Sequence, residues 1–114
     1  MTTIYHNPRC SKSRQTLQLL EENNIQPDIR LYLQDTPSLE EIKTLLTQLS
    51  MTPLELMRTK EVIFKELGLS KNSTDEECLQ AMHSNPVLIE RPIVIHNNKA
   101  KIGRPPEDVL ALFK

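Results

Sequence analysis

The stretch YHNPRCSKSR, residues 5–14, sets a cysteine among three cations, Arg9, Lys12 and Arg14, where turn chemistry gives way to a helical pattern. Pro8 fixes its own φ and pushes Asn7 away from the helical region, so the chain turns just ahead of Cys10. A cysteine at a helix start faces unpaired N–H groups and the positive end of the macrodipole. With the neighbouring cations, that setting favours the thiolate and predicts titration below the ~8.5 of a free cysteine. The thiolate is the nucleophilic form. Ser13 stands three positions after Cys10, so CSKS keeps the spacing of a C-x-x-C redox motif without its second thiol. Any disulfide made by Cys10 must be resolved by another thiol. Cys78 is one candidate, although the plainer reading of it is a half-buried or exposed helical cysteine with no role.

Three arginines stand in separate segments. Arg91 precedes Pro92 in LIERPIVI, Arg104 stands in IGRPP, and Arg58 ends PLELMR. Taken singly, each is expected at the surface or in a salt bridge, and Arg58 as a cation near a helix C-terminus. Taken with Cys10, they supply guanidinium forks that could converge on a tetrahedral oxyanion. His6 and Cys10 have no third ligand at characteristic spacing, so no metal site is expected. His83 and His96 read as exposed and non-functional. A phosphatase-type loop needs an arginine six positions after the cysteine, and position 16 is threonine.

These residues sit in a chain of 114, with 38% hydrophobic and 25% charged residues, the composition of one ordinary globular domain spanning 1–114. At this size ~65% of the unfolded surface is buried, so neither disulfides nor a structural metal is needed. Two cysteines make no secreted disulfide scaffold, and the chain opens without a leader or any window near the ~20 apolar residues of a membrane span. A cytoplasmic protein with no membrane partner is the expectation. A net charge of -1 offers no field for a nucleic acid, so any bound anion must be held by a local cluster. Few aromatics and no conspicuous exposed apolar stripe make a monomer the expected state.

The elements that must position the site follow from periodicity. Ile4 and Tyr5 begin a strand, Leu17 and Leu20 mark one helical stripe, and DIRLYLQ alternates with Ile29, Leu31 and Leu33 on one half-buried face. Strand, helix, strand is a βαβ unit. Residues 37–85 read as a helical insertion, with Ser38/Glu41, Thr52/Glu55 and Thr74/Glu77 spaced as capping boxes. PVLIERPIVIHNNKAKIG is a second β region whose Asn97-Asn98 signals a two-residue hairpin, and RPPEDVLALF a closing helix. An α/β fold with a βαβ unit, a β-hairpin entered through X-Pro, and a closing helix is the thioredoxin-like arrangement.

IYHNPRCSKSR, LMRTKE, NPVLIERPIVI and IGRPPEDVL, in this order and at these separations, resemble the glutaredoxin-dependent arsenate reductase family over essentially the whole chain. The likeness is to its short branch, whose members carry PRCSKSR. The resemblance implies that Cys10 is the nucleophile and that Arg58, Arg91 and Arg104 bind arsenate. It further implies that His6, Ser13 and Arg14 help to hold the thiolate and that Arg91–Pro92 is cis. On this likeness, the enzyme carries no bound cofactor; glutathione is a co-substrate and glutaredoxin the partner that resolves the mixed disulfide. An alternative from the same fold is an Spx-like adaptor or redox-responsive regulator that binds a protein partner without turnover. Those regulators carry a C-x-x-C switch, which Ser13 does not provide.

Overall fold

The computed structural model describes all residues, 1–114, and its chain forms two compact units. The first joins Met1–Asp35 to Arg91–Lys114, and the second is Thr36–Glu90.

The first unit holds a four-stranded sheet of order β2-β1-β3-β4, with β1 Thr2–Tyr5, β2 Asp28–Arg30, β3 Ile93–His96 and β4 Lys99–Ile102. β1 runs parallel to β2 through helix α1, Ser11–Glu22, and antiparallel to β3, which forms a hairpin with β4. Asn97 and Asn98 take φ of 49° and 65°, the left-handed geometry that a two-residue hairpin turn demands and that asparagine tolerates. The register pairs Ile4 with Val94 and Tyr5 with Ile93, and side chains alternate across a strand, so each pair belongs to a different face. Ile4 and Val94 join Leu20 of α1 and Val109 of the closing helix in one core, with Leu17, Ile25, Leu112 and Phe113 packed against it. On the other face Tyr5 stacks on Tyr32 at 6.2 Å, and the Arg30 guanidinium lies 5.3 Å from the Tyr5 ring centre. The fold is thioredoxin-like.

The second unit is built on helices α2 Leu39–Leu49, α3 Pro53–Leu56, α4 Val62–Glu66 and α5 Asp75–Ser84. All three capping boxes form in both directions: the Ser38, Thr52 and Thr74 side chains accept from the N3 backbone, and Glu41, Glu55 and Glu77 return the bond. Ile42, Leu45, Leu56, Cys78, Met82, Leu88 and Ile89 are fully or almost fully enclosed.

Several local expectations give way. β2 stops at Arg30, because the chain turns at once: Gln34 and Asp35 N–H both donate to the Leu31 carbonyl. The period of two therefore ends there. Ile29, Leu31 and Leu33, expected to be half-buried, are 51%, 37% and 41% exposed, and Tyr32 is the buried residue. An exposed apolar set is thus present after all. The second β region begins only at Ile93, since Pro86–Leu88 winds as a 3-10 turn. The closing helix, Pro106–Phe113, is also 3-10 rather than α, entered through two successive prolines that donate no backbone hydrogen bond. α4 had no sequence signal. Neither His83 nor His96 is exposed: His83 Nδ1 donates to the Pro37 carbonyl, while His96 meets Thr2 Oγ1 at 2.8 Å and packs on Phe113.

The caps carry a pH dependence with a definite sign. Bonds from the Thr52 and Thr74 backbone, then from their hydroxyls, hold Glu55 and Glu77 below the usual carboxylate value. A depressed carboxylate contributes stability that is present above its unfolded value and lost as pH falls through the folded one. Glu77→Gln is therefore expected to lower thermal stability at neutral pH, and melts followed by circular dichroism should show the gap closing as the solution is acidified below the ordinary glutamate range.

Candidate active site

β1 ends at Tyr5 and α1 begins at Ser11, so residues 6–10 must turn within five positions. The turn is tied internally and to the first helical turn. Cys10 N–H donates to the Asn7 carbonyl at 3.0 Å, and Arg9 N–H donates to Asn7 Oδ1 at 3.0 Å. Asn7 N–H donates to Ser13 Oγ at 3.0 Å, and Arg14 Nη1 donates to the Pro8 carbonyl at 2.9 Å. Ser13 Oγ also lies 2.7 Å from His6 Nδ1. Ser13 Oγ, which accepts from Asn7, keeps both its own hydrogen and a second lone pair for Nδ1, so the contact holds in either His6 tautomer. Burial, and then the Arg14 charge, push the His6 imidazole below its ordinary value, so it is neutral at pH 7.

Cys10 is the N-cap of α1, with extended φ and ψ of -94° and 123°. No side chain caps the helix, and no acidic residue stands in its first turn. An N-terminus normally attracts both. Here the complement to the helix start is left to Cys10 or to a bound anion, while Lys12 and Arg14 add positive charge. Cys10 is 9% exposed, at the margin of the interior rather than sealed within it.

Arg104 comes to this sulfur from 94 residues away, with Nη2 at 3.7 Å from Sγ. Its Nε donates to the Arg91 carbonyl at 2.8 Å, so the two X-Pro segments brace one another. Both Arg91–Pro92 and Arg104–Pro105 are cis, the second not raised by the sequence. Arg91 is half-buried, with Nε and Nη1 shielded from solvent. Arg58 belongs to the helical unit. An antiparallel bridge between Met57 and Ile89 aligns the chain so that Arg58 N–H donates to the Leu88 carbonyl at 2.7 Å. Its guanidinium meets Glu61 at 3.4 Å and, more weakly, Glu90 at 3.9 Å. Arg58 is therefore held by carboxylates rather than by a helix C-terminus.

Two residues that sequence reasoning passed over set the spacing. A Cβ on Gly103 would lie 2.5 Å from Thr16 Oγ1 and 2.9 Å from Pro92 Cγ. Thr16 is fully buried, and its hydroxyl donates back to the Lys12 carbonyl. Gly103 N–H in turn donates to the Pro92 carbonyl at 3.0 Å. The absent side chain lets the Arg104 segment lie directly on α1. The signal for it was IGRPP, which holds one of only two glycines in the chain.

Cys78 departs from expectation. It is completely buried, and burial, then Asp75 and Glu77, push its thiol up. No group of three His, Cys, Asp or Glu side chains is placed to hold a metal ion, and no helix is long and apolar enough to cross a membrane.

The sequence profile of the ArsC family matches residues 5–112, the site loop and both X-Pro segments included. The chain belongs to the ArsC family. Among ArsC relatives, an arsenate reductase of Haemophilus influenzae is 49% identical over 112 residues, which cover 96% of this chain and 97% of that protein. YfgD of Escherichia coli K12, described as uncharacterized, is 55% identical over 111 residues, covering 96% of this chain and 93% of that one. The solved structure of an arsenate reductase from Vibrio cholerae superimposes with a TM-score of 0.93 at 49% identity, covering 97% and 96% of the two chains.

Two measurements check this geometry. Iodoacetamide should modify Cys10 in the native ArsC protein and reach Cys78 only after unfolding in urea, as read by intact mass. Gly103→Ala should destabilise the fold by about 1–3 kcal/mol in urea titration, the usual cost of an added methyl in a packed site.

Proposed function

We propose that the protein is an oxidoreductase that reduces arsenate to arsenite, with Cys10 as nucleophile. The observation that carries this reading is the Arg104 guanidinium 3.7 Å from the sulfur of the residue at the N-cap of a helix with no acid in its first turn. The arrangement suits both a thiolate and the tetrahedral anion it attacks. ArsC relatives named arsenate reductase, 49% identical over nearly the whole chain, supply the substrate.

In the first step the Cys10 thiolate attacks arsenic. An S–As bond forms, one oxygen leaves as water after taking up protons, and arsenic remains As(V). Arg104 and Arg91 offset charge on the remaining oxygens, as preorganised donors do when an oxyanion reacts. The family resemblance also assigns Arg58 to arsenate; in the second unit its guanidinium is held by Glu61 and Glu90. Glutathione then attacks the Cys10 sulfur of the adduct. A disulfide forms between Cys10 and glutathione, the electron pair of the S–As bond passes to arsenic, and As(III) leaves as arsenite.

Ser13 explains why that second thiol is external. Its hydroxyl is committed to Asn7 and His6, so the position that would carry a resolving cysteine instead fixes the loop. Pro92 shapes the segment whose carbonyls accept from Gly103 and, one residue earlier, from Arg104. Glutaredoxin regenerates Cys10 by exchange, taking glutathione onto its own cysteine, with no change in total disulfide count.

Arsenite released from arsenate in the presence of glutathione and glutaredoxin tests the proposal. Cys10→Ser should abolish release. Arg104→Ala should lower kcat/KM about 10- to 100-fold, the range for one hydrogen bond to a charged group, with the melting temperature nearly unchanged. Absence of arsenite from the unaltered protein, with Cys10 shown to be reduced, would refute the activity and favour a binding role instead.

A further inference from the structure

A cavity of about 250 Å³ opens beside the nucleophile's loop, lined by His6, Asn7, Pro8 and Arg9 together with Leu31, Leu33 and Gln34. It exists because the chain leaves the sheet after Arg30 and turns, which keeps Leu31 and Leu33 at the surface. No acidic side chain lines it. Arg9 is exposed, and no carboxylate pairs with its guanidinium. Lys12 and Arg14 extend the positive charge along a helix start without a single acid in its first turn. A site with two leucines, two amides, the His6 imidazole and an uncompensated guanidinium is complementary to a small anion with a methylene stem. Its volume falls just below the ~300 Å³ lower end of small-molecule pockets.

We propose that this groove docks the body of the small anionic peptide thiol that completes the reaction, with Arg9 receiving a carboxylate and Leu31 and Leu33 covering its methylene groups. The inference rests on the reading above, in which an external thiol must reach Cys10. Spacing supports the assignment. Arg9 and Pro8 directly precede Cys10, and successive Cα atoms lie about 3.8 Å apart. In an extended tripeptide the central residue is one such step from a terminal carboxylate. With its carboxylate on Arg9, such a peptide carries its thiol one residue step from the anchor, the same step that separates Cys10 from Arg9 along the chain.

The test needs no arsenic. The full-length protein is mixed with glutathione disulfide or with 2-hydroxyethyl disulfide, which is small and uncharged, and the mixed disulfide is followed by intact mass. In each case the Cys10 thiolate attacks one sulfur, a new S–S bond forms, and the other half leaves as a thiolate. The readout is the ratio of the two rate constants. Arg9→Glu should lower that ratio about tenfold, the effect of losing one charge-assisted contact. Leu33→Gln should lower it about threefold through lost apolar cover. Lys12→Glu, equally close to Cys10 in the loop but outside the groove, should change it less than either. An unchanged ratio in both groove variants overturns the proposal, as does a loss in Lys12→Glu that matches Arg9→Glu. Circular dichroism confirms that each variant is folded. Failure of the arsenate reading would appear separately, as absent arsenite release alongside an intact disulfide preference.

Discussion

The contact between the Arg104 guanidinium and the Cys10 sulfur depends on a helix start that nothing else completes. α1 has no side-chain cap and no acid in its first turn, so its N-terminal donors and the cations beside them await a negative partner. Most helices satisfy that end with their own residues. The three boxed helices of the second unit do so, each with a hydroxyl and a glutamate. The contrast within one chain separates a helix end built for stability from one that stays open for chemistry.

What brings Arg104 to that end is the sheet. β1 delivers the loop of residues 6–10, and β3, antiparallel to it, with β4, antiparallel to β3, returns the chain so that the segment after Ile102 lies near α1. The close approach is possible because position 103 has no Cβ, with Thr16 already occupying the space one would fill. Arg104 is then fixed at both ends of its guanidinium, by the Arg91 carbonyl at Nε and by the sulfur at Nη2. Packing density decides this geometry: an interior packed like an organic crystal has no slack for one more methyl.

Ser13 makes the position three residues after Cys10 a structural device. A thiol at that position would supply internal disulfide exchange, whereas the hydroxyl accepts from Asn7 and engages the neutral His6 ring. The loop gains rigidity and gives up self-sufficiency. The groove lined by His6, Arg9, Leu31 and Leu33 opens beside this same loop.

Much was legible in the sequence because it is local. The capping boxes, the Asn97-Asn98 turn and the start of α1 depend on residues a few positions apart, and the order of elements then leaves few topologies. The resemblance pointed to the four chemical residues. Cys10 and Arg104 do meet; Arg58 lies in the second unit, paired with two glutamates. Not legible was where a pattern stops. Leu31 and Leu33 continue the alternation of β2, but the strand ends at Arg30, and only the turn that follows exposes them. Cys78 was hidden for the same reason, since a helix face is assigned to the interior by its neighbours. The sequence by itself determined which groups can react and which segments present them, because short-range sterics and hydrogen bonding decide those. Tertiary structure alone decided which groups touch and which stay open to a ligand, because burial and distance are set by segments far apart in the chain.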